Sequence, residues 1–148
     1  MQYAVASSLI VMTILSCCGT SGVSAYCGDD DYSCFAGYAE NGCQPVQMKT
    51  LSDVSVRMEI VGEDGYGDCE IKMTALSRGE FKQDLVSDME MTETEAETML
   101  AMMQYQNIEG KSATCYVAPQ KVFDFLAYGD GAETCSGPLI DAYMSVAR

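Results

Sequence analysis

The sequence predicts an α+β domain: a small antiparallel sheet of three or four strands with helices packed on one face, stapled by disulfides. Three observations predict it. Val54, Val56, Met58 and Ile60 alternate with Ser55, Arg57 and Glu59, and Cys69, Ile71, Met73 and Ala75 alternate with Glu70, Lys72 and Thr74. A period of two with one apolar face marks a half-buried strand. Segments with helical spacing flank these runs, and six cysteines follow a leader-like N-terminus.

Taken in order, Asp29, Asp30 and Asp31 open the domain, with Tyr32, Phe35, Ala36 and Ala39 at helical spacing behind them. Acids complement the dipole at a helix start, so a helix is expected over about 31–40, ended by Asn41-Gly42. Residues 45–51 read as a short extended segment. The two alternating runs form a β-hairpin around the turn-rich loop 62–68, with Cys69 on the buried side. Residues 77–91 read as irregular because Gly79 interrupts any pattern. Thr92 with Glu95 makes a capping-box pair, and Thr94 with Glu97 offers a later one. The helix that follows runs to about Tyr105, with Ala96, Met99, Leu100 and Met103 facing the core. Gly110 stops it. Ala113, Cys115 and Val117 point inward from a strand over 112–117. Pro119 opens a helix carrying Val122, Phe123, Phe125 and Leu126, which Gly129 ends. A last helix runs from Pro138 to about Ala147.

The N-terminus reads as a leader. Residues 1–25 hold no charged side chain, and Leu9, Ile10, Val11, Met12, Ile14 and Leu15 form an apolar run. That run has the length of a signal-peptide core and falls short of a bilayer span, which needs roughly 20 apolar residues. Val23-Ser24-Ala25 supplies the small residues that precede a signal-peptidase cut, so cleavage is expected after Ala25. Two features leave alternatives open. No Lys or Arg precedes the apolar run, which would also suit an N-terminal core helix or a short anchor. Ile14-Leu15-Ser16-Cys17 loosely resembles a bacterial lipobox, which would place a lipid anchor on Cys17. Cutting the 148-residue chain after Ala25 leaves 123 residues, enough for one domain, 26–148, and no linker or repeat divides it.

Eight basic against 22 acidic residues give a net charge of −14. Such a surface repels phosphate backbones and anionic headgroups, which excludes nucleic acid as a partner. It suits solubility, high salt or a cationic partner. The expected localisation is extracytoplasmic, secreted or on the cell surface.

Removing the leader takes away Cys17 and Cys18 and leaves Cys27, Cys34, Cys43, Cys69, Cys115 and Cys135. An even number in an exported chain is the signature of a three-disulfide framework. Zinc and redox chemistry want close pairs such as C-x-x-C, and the closest pair here, Cys27 and Cys34, has six residues between. Many connectivities remain open; the most local one pairs Cys27 with Cys34, Cys43 with Cys69, and Cys115 with Cys135.

Cys27-Gly28, Cys34-Phe35, Cys43 with Pro45, Gly67-Asp68-Cys69, Met91-Thr92, Gly110-Lys111, Thr114-Cys115 and Cys135 with Gly137 form one layout over nearly the whole mature chain. It resembles a group of small, uncharacterised exported prokaryotic proteins with six cysteines, some with lipoprotein leaders. The resemblance implies export and paired cysteines and carries no catalytic residue.

The chain has no histidine, so the usual general base and the Ser/His/Asp and Cys/His constellations are missing. A histidine-free enzyme built on paired carboxylates is formally open, but no pair stands out. Asp29-Asp30-Asp31 and Glu63, Asp64 and Asp68 are candidate Ca²⁺ ligands without EF-hand spacing. Met89, Met91, Met99, Met102 and Met103 place five thioethers within 15 residues, a soft donor set suited to Cu(I), although Met99 and Met103 share the stripe expected to face the core. The leading expectation is a non-enzymatic exported domain without a cofactor. It binds a protein or small ligand, and the acidic surface suits a cationic one. An extracytoplasmic metal-binding protein is the alternative.

Overall fold

A computed structural model describes residues 24–51 and 55–146. The expected leader apart from Ser24 and Ala25, the candidate lipidation site Cys17, Cys18, and Val54 of the first alternating run lie outside the described residues.

The domain is α+β. Its sheet contains β1 (Ala25–Tyr26), β2 (Val46–Thr50), β3 (Val56–Glu63), β4 (Cys69–Ala75) and β5 (Ser112–Val117), hydrogen-bonded in that order. β2 through β5 are antiparallel, and β1 runs parallel to β2. The helices are α1 (Tyr32–Glu40), α2 (Arg78–Ser87), α3 (Glu93–Met102), α4 (Val122–Tyr128) and α5 (Pro138–Val146). The sheet has five strands where three or four were expected. A two-residue strand is too short to show a period, and β1 is held instead by its neighbourhood: Cys27 donates its N–H to the Gln47 carbonyl at 2.8 Å and is bonded to Cys34.

Register explains the single apolar face. Val46, Ile60, Ile71 and Cys115 are paired across four strands, as are Met48, Met58, Met73 and Ala113. Paired residues of a sheet point the same way, so the two rows form a continuous apolar floor. α1 and α4 cover one part of it through Phe35, Ala36, Ala39, Val122 and Phe125. α5 covers the end near β5 by setting Leu139 and Ala142 on Ala75 and Ala113. The opposite face carries Gln47, Lys49, Arg57, Glu59, Lys72 and Thr114, as the alternation requires. Both edges are blunted. Asp30 N–H bonds the Lys49 carbonyl and the Asp30 carboxylate accepts from Leu51 N–H on the β2 side, while Ser136 bridges to Thr114 on the β5 side. Such cover removes the unpaired backbone rows that invite strand addition.

Residues 77–91 differ from expectation, for α2 occupies most of them. Ser77 accepts from Glu80 N–H at 3.3 Å, and Glu80 accepts from Ser77 N–H at 3.1 Å, a complete capping box. Gly79 lies in the first turn, whose N–H groups have no intrahelical partner, so its cost is small there. Phe81 and Leu85, at i and i+4, are both buried. They share a second core with Leu76, Ala96, Leu100 and Tyr105, which makes α2 and α3 a helical hairpin with a core of its own. Ion pairs from Lys49 to Asp84 at 2.9 Å and from Arg57 to Glu80 at 3.1 Å tie that hairpin to the polar side of β2 and β3. Hydrogen bonding to Asp84 raises the Lys49 ammonium above its ordinary range against the cost of desolvation.

Two further boundaries shift. α3 ends at Met102, and Gln104 in the left-handed region (φ 49°) redirects the chain into a 3₁₀ turn over Tyr105–Asn107. Tyr105 thereby enters the second core from outside the helix. Pro119 opens a 3₁₀ turn, Pro119–Lys121, and α4 begins only at Val122. Of its expected apolar residues, Val122 and Phe125 are buried while Phe123 is exposed.

Candidate functional site

The three covering helices leave a gap on the apolar face. Between α4 and α5 lies an open cleft of about 450 Å³, floored by Val56, Met58 and Met73 and walled by Phe125 and Leu126 on one side and Ile140 and Tyr143 on the other. The sheet dictates the floor, since Met58 and Met73 are cross-strand partners. Two covalent and steric constraints dictate the walls. The Cys115–Cys135 bond ties the 3₁₀ turn Ala132–Thr134 to β5, and Cys135 itself lines the cleft. Gly137 then lets the chain press on β5: a Cβ there would sit 2.9 Å from the Ser112 carbonyl oxygen and 3.2 Å from Ala113 Cα, at a φ of 127°. Only glycine fits that approach and that dihedral, and α5 starts at the next residue.

Polar groups at the cleft are few. Thr50, Tyr32 and Tyr143 bring hydroxyls, and among the described residues no carboxylate or amine lines the cleft. Burial, and next the neighbouring Asp30 carboxylate, holds the Tyr32 phenol above its ordinary pKa, so it stays a neutral donor. Clefts of a few hundred Å³ with apolar walls and a handful of hydroxyls are typical of small-molecule sites. The dimensions suit binding of a small molecule.

No protein-family model, curated protein or solved structure matches this chain. The chemistry of its sites therefore rests on its own residues.

The methionines divide. Met91, Met99, Met102 and Met103 line one shallow groove on α3 and the segment before it, together with Thr94, Glu95 and Thr98. Met89 is apart from them, beside Leu51, Ser55 and Leu85. Ala96 and Leu100 alone of the expected stripe are fully buried; Met99 and Met103 are half-buried at its rim, packed against the second core on one side and open to the groove on the other. Of the two capping pairs read in the sequence, Thr92 and Glu95 form the box. Glu97 instead takes Arg78 and Lys82.

The acidic candidates are dispersed into local structure. Asp31 caps α1 by accepting from Cys34 N–H at 3.0 Å. Asp29 accepts from the Tyr26 hydroxyl and pairs with Lys49 at 3.5 Å. Asp64 closes the hairpin loop by accepting from Tyr66 and Asp68 N–H at 2.8 and 2.9 Å. Among the described residues no three Asp, Glu, Cys or His side chains converge on a point where a metal ion would sit.

The cysteines are brought together as Cys27 with Cys34, Cys43 with Cys69, and Cys115 with Cys135, at S–S distances of 2.02, 2.08 and 1.98 Å. Three disulfides in so small a domain mark an oxidising environment. No described helix is long and apolar enough to cross a membrane.

The cleft was not legible in the sequence. Its signal was the repetition of Met at matched positions of the alternating strands, Met58 opposite Met73, where smaller or branched residues are usual. That signal becomes a site only once the helices are placed.

Proposed function

We propose that this chain is an exported, non-enzymatic binding domain whose sheet cleft takes a small apolar ligand, neutral or cationic at its polar end. The observation that carries the reading is the cleft of about 450 Å³ over Val56, Met58 and Met73, lined mainly by apolar side chains between α4 and α5. The absence of histidine from the chain supports binding over catalysis. The net charge of −14 disfavours an anionic ligand head. Displacement of an environment-sensitive apolar dye tests it. A long-chain amine is expected to displace the dye at lower concentration than the carboxylate of equal chain length. Ala132→Trp, at the exposed cleft mouth, is expected to abolish dye binding without lowering stability. Dye binding unchanged in that variant, or none in the parent, overturns the proposal.

Export belongs to the same reading. A cut after Ala25 removes the first residue of β1 and leaves Tyr26 as the N-terminus, pinned by the Cys27–Cys34 bond and by Cys27 N–H on the Gln47 carbonyl. The three disulfides and the resemblance in cysteine layout both support it. The exported protein is expected to show the intact mass of a chain beginning at Tyr26 and lacking six hydrogens. A lipid adduct on Cys17 would replace secretion by anchoring, and a retained leader with free thiols would end the export reading.

A further inference from the structure

The second groove lies on a different part of the molecule and has a different chemistry. Its walls are four thioethers. Met99, Met102 and Met103 occupy i, i+3 and i+4 of α3 and its C-cap, positions that share one helix face. Met91, just ahead of the helix, closes the other side. An amphipathic helix in a small domain would ordinarily turn such residues inward, yet Met102 is 79% exposed and Met99 and Met103 keep one side open. Long unbranched side chains with three rotatable bonds can bring their sulfurs together from such positions.

The rest of the chain removes competitors. Thiolate and imidazole are the donors that normally outbid a thioether for a soft cation. All six described cysteines are spent in disulfides, and the chain has no histidine. The thioethers are thus the softest donors the folded domain offers. Glu95 lines the same groove and accepts hydrogen bonds from the Thr92 hydroxyl and N–H. The overall negative charge draws cations toward every part of the surface.

We propose that the groove formed by Met91, Met99, Met102 and Met103 binds a soft monovalent metal ion, Cu(I), through their sulfur atoms. The ion arrives and leaves as Cu(I), with no change of oxidation state and no proton released, since a thioether carries none. Binding therefore depends little on pH between 5 and 8, unlike binding by thiol or imidazole.

Full-length protein carrying Cys17→Ser and Cys18→Ser, which removes the leader thiols, is titrated with Ag(I) as a redox-inert stand-in. The methyl resonances of ¹³C-labelled methionines are followed. Shifts confined to Met91, Met99, Met102 and Met103, with Met89 and the buried Met48 unmoved, are expected. Competition with a chromophoric chelator then measures Cu(I) itself. Met102→Leu, at an exposed position, is expected to weaken Cu(I) binding at least tenfold, while Met89→Leu leaves it unchanged. Uniform shifts, no competition, or equal loss in both variants overturns the proposal. None of these outcomes bears on the sheet cleft, whose dye assay reads a separate site.

Discussion

Replacing Cys43 and Cys69 together by alanine is expected to lower the stability of the domain by about 3.5 kcal/mol, the chain-entropy value for a bond closing a loop of this length. The two residues are 26 apart in sequence, and the bond joins the end of α1 to the start of β4. Both are buried, within the core under α1 and α4. Cys43 is also one of few non-glycine residues in the left-handed region, with a φ of 50°. Without the bond that conformation is left to backbone hydrogen bonds, from Cys43 N–H to the Ala39 carbonyl and from Gln44 N–H to the Tyr38 carbonyl. Removing Cys27 and Cys34, only seven apart, is expected to cost less, about 2.3 kcal/mol on the same account. Urea unfolding of the two double variants checks the order. A larger loss from the shorter loop would show that packing around the sulfurs, rather than loop closure, sets the contribution.

Tyr105→Ala is expected to cost about 4 kcal/mol, within the range for emptying a large aromatic site in a core. Tyr105 is fully buried, lies 4.9 Å from the Phe81 ring centroid, and donates its hydroxyl to the Leu76 carbonyl at 2.9 Å. It is the residue on which α2, α3 and the start of the connection after β4 converge. Its phenol also makes stability depend on alkaline pH. Burial, followed by the charges of Glu109, Glu80 and Asp84, pushes its pKa up to about 12 from the ordinary 10.0. The folded state thus favours the neutral form. Below pH 10 both states are neutral and the full contribution is present. As pH rises from 10 toward 12 the unfolded chain ionises first, and roughly 2–3 kcal/mol is lost. Tyr105→Phe removes this component along with the hydroxyl bond. The difference between the parent and Tyr105→Phe, followed by urea unfolding from pH 8 to 12, is expected to shrink above pH 10. A constant difference would mean that the phenol ionises equally easily in both states.

The α2 segment shows why part of the fold escaped a pattern reading. Ser77-x-x-Glu80 is a capping signature, and Phe81 and Leu85 are spaced for a helix. With only two buried positions on a short, otherwise charged segment, the periodicity is weak, and Gly79 masks it. What makes α2 a helix is the pocket that Ala96, Leu100 and Tyr105 present to those two side chains, together with ion pairs from Lys49 and Arg57, residues 20 or more positions away. Helical stability in proteins comes mainly from such packing of one face.

The features legible in the chain's own residues are local and periodic. Alternation in β3, β4 and β5 set which side chains face inward, because a strand's period of two leaves no choice once one face is apolar. Asp31, Thr92 with Glu95, and Gly129 bounded α1, α3 and α4 because caps act within a few residues. The remaining features arise from packing between distant elements. That packing recruited Ala25–Tyr26 to the sheet edge, separated Met89 from the other four candidate methionines, and opened a cleft over Val56, Met58 and Met73 between α4 and α5. Each of these depends on where whole elements sit relative to one another, and that is set by long-range contacts and bonds such as Cys115–Cys135 and the close approach at Gly137, which no short window of sequence contains.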